Sequence, residues 1–188
     1  AMTEYYLGVD LGGTNVELAL VDADGQTVQR ASLPTYVERG PEQMAARATT
    51  RSRELIDQAD IAPQNVKGMG IGTPGPMSVS QGKIIRTGNL PGFDNFALRA
   101  EFSAVLGVPA VMDNDANSAC WGEFWLGAGE GLTDMVMLTL GTGIGGGIIA
   151  AGELVHGCED NAAELGHMIV QPDGRQCTCG QLGCIEAY

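Results

Sequence analysis

Cys177-Thr-Cys179-Gly-Gln-Leu-Gly-Cys184 is the stretch whose chemistry is most constrained, and His167 stands ten residues upstream of it. Three thiolates and one imidazole complete a tetrahedral Zn²⁺ shell with no open position, the composition of a structural metal site. A disulfide or free thiols are the alternatives, although Cys177 and Cys179 lie too close along the chain to bridge without strain. His156 is the other candidate nitrogen, and spacing alone does not exclude it. The chain has five cysteines, an odd number, with Cys120 and Cys158 dispersed. Clustered cysteines without an export signal favour metal over disulfides.

Two glycine-rich turns come next. In Asp10-Leu11-Gly12-Gly13-Thr14 the glycines let backbone amides approach a phosphate without Cβ obstruction. Asp10 is placed to hold water around Mg²⁺, and Thr14 to donate its hydroxyl to a phosphate oxygen. A plain hairpin turn with an accessory Asp is the competing reading. The second turn, Gly141-Thr142-Gly143-Ile144-Gly145-Gly146-Gly147, carries five glycines in seven residues. Each weakens a hairpin by about 0.5–1 kcal/mol relative to Ala, a cost that a purely structural turn does not require. Two such tips, with Thr142 and Gly143 at the second, suit the two ends of a nucleotide's phosphate chain. Neither leads directly into a helix, so a lone dinucleotide fold is excluded.

Asn114-Asp115 is either an ordinary helix cap or a general base at a hydroxyl. A helix N-terminus keeps the Asp115 carboxylate ionised, and the same field makes it a weak base. Phosphoryl transfer tolerates a weak base because its transition state is loose and the proton leaves late. Glu164 and Glu186 flank the metal motif on either side. They read as solvated acids or, on a metal-fixed loop, as acceptors for sugar hydroxyls. Asn89 is similarly a turn former or a polar finger on a ligand.

The elements that must position these residues follow from periodicity and breakers. Tyr5 to Asp10, Val16 to Val21 and Thr27 to Leu33 read as a β-meander whose first hairpin has the glycine tip. Pro41 to Gln58 reads as a helix, with Pro41 at its first position and Met44, Ala48, Leu55 and Ile56 as its apolar stripe. Val66 to Thr73 is a strand. Phe96 to Leu106 is a helix capped by Asp94 or Asn95 and stopped at Gly107. Ala110 to Met112 is a short strand, and Asp113-Asn114-Asp115 opens a helix through Leu126. Met135 to Leu140 and Ile144 to Ala150 flank the second tip. Strand, glycine tip and strand thus occur twice, which implies a duplicated α/β unit. A hinge near Asp115 divides an N-terminal α/β domain, residues 4–115, from a second unit, residues 116–188, that carries the cysteine loop.

Composition narrows the class. With 10 basic against 23 acidic residues the formal charge is −13, which argues against binding a nucleic-acid backbone. No apolar run is long enough for a membrane span and no signal peptide is evident, so a soluble, cytoplasmic protein is expected. Ala1 ahead of Met2 reads as a vector remnant.

Taken in order, Asp10-Leu-Gly-Gly-Thr14, Gly70-Ile-Gly-Thr-Pro-Gly-Pro76, Gly88-Asn-Leu-Pro-Gly92, Asn114-Asp115-Ala-Asn117, Leu140-Gly-Thr-Gly-Ile-Gly-Gly-Gly147, Glu164-Leu-Gly-His167 and the cysteine motif through Glu186 resemble the ROK family (repressors, open reading frames and sugar kinases). The resemblance implies an α/β, actin-like (ribonuclease H-like) sugar-kinase fold and ATP-dependent phosphorylation of a hexose, most often glucose. It implies Asp115 as the base at the sugar's 6-hydroxyl, with Asn89, Asn114, Glu164, His167 and Glu186 on the other hydroxyls. Gly12, Gly13, Thr14, Thr142 and Gly143 would hold ATP phosphates, with Asp10 near Mg²⁺. His167, Cys177, Cys179 and Cys184 would hold structural Zn²⁺. Cys158-Glu159-Asp160-Asn161 departs from the small residues usual there. Such kinases continue past the cysteine motif, so the resemblance also implies that this chain is a truncated form of low activity, dimeric when complete. A sugar-responsive repressor lacking its DNA-binding segment and an actin-like ATPase without a sugar acceptor are the competing functions.

Overall fold

The computed structural model describes residues 3–188, so Ala1 and Met2, with the vector reading, lie outside the described residues. Two compact units meet in the sequence between Asp115 and Ala116.

The first unit is built on a five-stranded sheet. β1 (Tyr5–Leu11), β2 (Asn15–Asp22) and β3 (Thr27–Pro34) form the expected antiparallel meander. α1 (Pro41–Gln58) follows, and β4 (Val66–Thr73) then returns parallel to β1. A two-stranded ribbon, β5 (Met77–Ser78) with β6 (Lys83–Ile84), comes next and was not foreseen from the sequence. α2 (Leu98–Leu106) leads to β7 (Ala110–Asn114), parallel to β4, giving the order β3-β2-β1-β4-β7.

Alternation decides which face is buried. Leu7, Val9 and Leu11 of β1 line up with Met69 and Ile71 of β4 and with Met112 of β7 on the core face. Met44, Ala48, Leu55 and Ile56 of α1, with Leu98 and Phe102 of α2, complete that core. The α1 stripe is the one periodicity indicates. Pro41 sits at the helix start, where its missing N–H costs nothing.

Two local expectations are corrected. α2 begins at Leu98 and not at Phe96, and Ala97, without a side-chain cap bond, stands at its N-cap in place of Asp94 or Asn95. Asn95 adopts φ 59°, a left-handed conformation that Asn tolerates, so its backbone serves a turn. Asp113 and Asn114 belong to β7, and the third helix starts at Asp115. Strand pairing to β4 carries the chain two residues further than the apolar run alone suggests.

The second unit contains the body of α3 (Asp115–Leu126) and a sheet of β8 (Met135–Leu140), β9 (Ile144–Ala150) and β10 (Glu153–Leu154), all antiparallel. Short 3₁₀ turns at Leu165–His167 and Ile185–Ala187 frame the cysteine loop. Val136, Leu138 and Leu140 alternate along β8 and are exposed. No described helix is long and apolar enough to cross a membrane.

The glycines of β9 have a packing explanation. A Cβ on Gly147 would collide with Cys120 of α3, one on Gly145 would lie 2.9 Å from the Ala116 Cβ, and one on Gly146 would lie 2.7 Å from Leu165. Three of the five glycines in the second turn region therefore permit close approach of α3 and the Leu165 turn to the sheet. The expectation that a purely structural turn does not require so many glycines is corrected on this point. Gly147→Ala should destabilise the chain by about 1–3 kcal/mol, the usual cost of overpacking. Urea unfolding checks it, and an unchanged midpoint would show that α3 yields freely.

Candidate functional site

In the first unit the polar residues gather at the carboxyl ends of the parallel strands, where ligands bind open α/β sheets. Register pairs Asp10 with Gly72 and Gly72 with Asp113, so Asp10 and Asp113 share a row across β1, β4 and β7. Thr73 pairs with Asn114 on the adjacent row. Asp115 follows at once as the exposed first residue of α3.

Asp10 and Asp115 interact electrostatically. Partial burial of its carboxyl, then the negative charge of Asp115, then that of Glu17, push the Asp10 pKa up. Asp10 as a whole residue is solvent-exposed, which screens the effect. Its direction is that of a carboxyl beside other carboxylates.

The first glycine tip, Gly12–Thr14, joins β1 to β2. The Gly12 amide donates to the Asn15 carbonyl at 2.9 Å, closing the turn. A Cβ on Gly13 would stand 2.7 Å from the Asn89 carbonyl oxygen, so glycine is required where the tip abuts the 87–92 loop. That loop is anchored by buried Thr87, whose Oγ1 accepts the Asn89 amide at 3.3 Å. The Asn89 side chain belongs to an exposed residue beside the tip.

In the second unit His167, Cys177, Cys179 and Cys184 place their ligand atoms within 4.8 Å of one another. All five cysteines are free, so the disulfide alternative does not hold. His156 is not among the clustered donors, which resolves the choice of nitrogen in favour of His167. A Zn–S distance of about 2.3 Å sets tetrahedral S···S edges near ~3.8 Å. Cys179 and Cys184 Sγ lie 3.7 Å apart, and Cys177 Sγ lies 3.6 Å from His167 Nδ1. The donor set fits a four-coordinate soft-ligand cation. The Cys179 backbone N–H, helped by neighbouring thiols and His167, holds the Cys177 thiol down at about 7. Burial, with the two other thiols, pushes Cys184 up to about 12.

Glu186 does more than the sequence indicates. Its Oε2 accepts the Ile144 amide at 2.8 Å, and a Cβ on Gly143 would collide with the same carboxylate. Its Oε1 receives the Thr178 hydroxyl at 3.4 Å and the Cys177 thiol at 3.9 Å. Glu186 thus ties the cysteine loop to the second glycine tip, a link between residues 42 apart that no local motif reveals. Thr142 is exposed at that tip, and Glu164 is exposed just before the Leu165–His167 turn. Asp113 was read only as part of a helix opening. Its alternation with Met112 and Val111 on a strand is the signal that places it on Asp10's row, with Gly72 between them.

The raised Asp10 pKa has a consequence for stability. A carboxyl whose pKa rises on folding binds its proton more tightly in the native state, so stability is lost as pH climbs past the ordinary value. Asp10→Asn should therefore raise Tm at neutral pH without divalent metal, and the gain should shrink as pH falls into the usual carboxylate range. Calorimetry across that range checks this, and a gain that does not vary with pH would contradict it.

The ROK family pattern matches residues 6–188. The chain is 40% identical over 181 residues to the glucokinase of Thermotoga maritima, covering 96% of this chain and 56% of that protein. It is 32% identical over 183 residues to the N-acetylmannosamine kinase of Escherichia coli, covering 96% of this chain and 60% of that one. A crystal structure of a ROK family glucokinase from Streptomyces griseus, in complex with glucose and AMPPNP, superposes with a TM-score of 0.84 at 34% identity. It covers 98% of this chain and 56% of that chain. The chain spans a little over half the length of these relatives, and its α/β architecture is the actin-like fold of ROK sugar kinases. On this pattern and this fold, the chain belongs to the ROK family.

Proposed function

We propose that these residues form the sugar-binding and phosphate-binding parts of an ATP-dependent kinase that phosphorylates a hexose at its 6-hydroxyl, glucose first among candidates. The observation that carries this reading is the Asp10–Asp115 pair at the carboxyl edge of the parallel strands, with a glycine tip alongside. Asp115 accepts the proton of the 6-hydroxyl as O6 attacks the terminal phosphorus and the bond to the bridging oxygen breaks. Asp115 is the first residue of α3, and its charge is felt at Asp10. Gly12, Gly13 and Thr14 at one tip, and Thr142 and Gly143 at the other, receive phosphate oxygens. Asp10 would hold Mg²⁺ through water, and the ion would neutralise the phosphate charge there.

Asn89, Asn114, Glu164 and His167 hydrogen-bond the remaining hydroxyls. Glu186 joins them by giving up its long Thr178 contact and keeping the shorter one to Ile144. His167, Cys177, Cys179 and Cys184 would hold Zn²⁺, which fixes the loop carrying His167 and Glu186 and takes no part in the chemistry. A cytoplasmic location and a homodimer at full family length complete the reading. The exposed β8 row of Val136, Leu138 and Leu140 supports self-association of the 188-residue chain itself. The N-acetylmannosamine kinase relative favours testing amino sugars beside glucose.

The test is a thermal-shift panel of hexoses and N-acyl amino sugars, with zinc measured by elemental analysis. A ligand at 100-fold its Kd stabilises by about 2.7 kcal/mol, several degrees in Tm. No response to any sugar in zinc-loaded protein would remove the sugar reading and favour a bare ATPase. An operator gel shift would favour the repressor. The 188-residue chain spans 56% of the Thermotoga glucokinase, and little hexose 6-phosphate is expected from it alone.

In a protein of full family length carrying this sequence, Asp115→Asn should lower kcat at least a thousandfold with sugar affinity within about threefold. Turnover within tenfold of the parent would show that Asp115 is not the base. Stripping zinc, or Cys179→Ser, should weaken sugar binding at least tenfold by freeing the His167 loop. Calorimetric titration with sugar, after verified metal loss, checks this.

A further inference from the structure

Thr35 links β3 to the first glycine tip through bonds that no motif announces. It is fully buried, and its Oγ1 donates to the Gly12 carbonyl at 2.6 Å. Its amide donates to the Thr14 carbonyl at 2.8 Å. Its own carbonyl accepts Arg47 Nη1 from α1 at 3.2 Å, while Arg47 Nη2 donates to the Pro34 carbonyl. Both outer carbonyls of the Gly12–Thr14 turn are thereby held inward by one residue, which α1 braces from behind.

The backbone immediately after Thr35 is unusual. Tyr36 adopts φ 52° and ψ 60°, a left-handed conformation that a bulky residue rarely takes. The guanidinium groups of Arg39 and Arg47 lie 4.3 and 4.7 Å from its ring centroid. Such a conformation persists only where the surroundings over-determine it. The left-handed step turns the chain sharply just past Thr35, between the strand end and the helix that braces it.

We propose that Thr35 is the positioning residue of the first phosphate turn, with Arg47 as its brace. The inference rests on the reading of Gly12–Thr14 as a phosphate-binding tip. A trans peptide unit carries its C=O and N–H on opposite sides. No peptide bond here is cis, so holding the Gly12 carbonyl inward faces the Gly13 N–H outward. Buried and tied to two carbonyls, Thr35 acts on the tip's geometry and touches no substrate itself. Its hydroxyl is the part that matters, since valine fills the same volume without the donor.

The experiment compares the chain with Thr35→Val, Thr35→Ser and Arg47→Gln, by amide hydrogen exchange of residues 12–15 and by chemical-shift titration with magnesium tripolyphosphate. Thr35→Val should speed exchange at the tip at least tenfold and weaken phosphate binding at least fivefold, with hexose affinity unchanged. Thr35→Ser should restore both within twofold. Arg47→Gln, on a partly exposed helix face, should show the same effects in smaller measure and serves if the valine variant fails to fold. Unchanged exchange at the tip overturns the proposal, as does faster exchange with undiminished phosphate affinity. A parent chain whose tip amides ignore tripolyphosphate removes the phosphate reading itself, and the exchange data still show which of the two ideas failed.

Discussion

Parallel pairing of β1, β4 and β7 is the constraint on which the first half of the site depends. The register brings Asp10 level with Gly72 and Asp113, and so sets Asp115 one step beyond the strand ends. Antiparallel strands in the same places would scatter these carboxylates to opposite edges. The cost is electrostatic, because burial and the charges of Asp115 and Glu17 raise the proton affinity of Asp10.

The second unit meets a different problem, since it must fix a loop from residue 168 to 188 that contains little regular structure. Two isolated bridges, Ile169 with Cys184 and Gln176 with Leu182, are its only named strand pairings among the described residues. Arg175 adds a contact to the Tyr188 ring at 4.8 Å, and the Tyr188 hydroxyl accepts the Arg175 amide at 2.8 Å. Such weak pairing leaves much of the ordering to the thiol–imidazole cluster. A metal bound there contributes folding free energy directly. Glu186, two residues after Cys184 and bonded to the Ile144 amide, passes that order to the glycine tip.

Much of this was legible in the sequence, for identifiable reasons. Pro41–Gln58, Val66–Thr73, Met135–Leu140 and Ile144–Ala150 carry strong periodicity bounded by proline or glycine, and their ends match expectation. The donor cluster was readable because cysteine spacing is local. The start of α2 was not, since Asp94 and Asn95 resemble caps while their backbone serves a turn. The β5–β6 ribbon is too short to show a period. The contacts of Thr35 with Gly12 and of Glu186 with Ile144 join distant positions, and tertiary packing alone creates them. The β9 glycines misled for a related reason. A close-packed helix and a phosphate both demand a missing Cβ, and sequence does not distinguish them.

The two glycine tips are also held in opposite senses. At the first, hydroxyl and amide donors of Thr35 grip carbonyl oxygens. At the second, a carboxylate grips an amide, so the Ile144 N–H is engaged and a negative charge sits beside Gly143. Carboxylates thus stand near both tips, Asp10 two residues before Gly12 and Glu186 against Gly143.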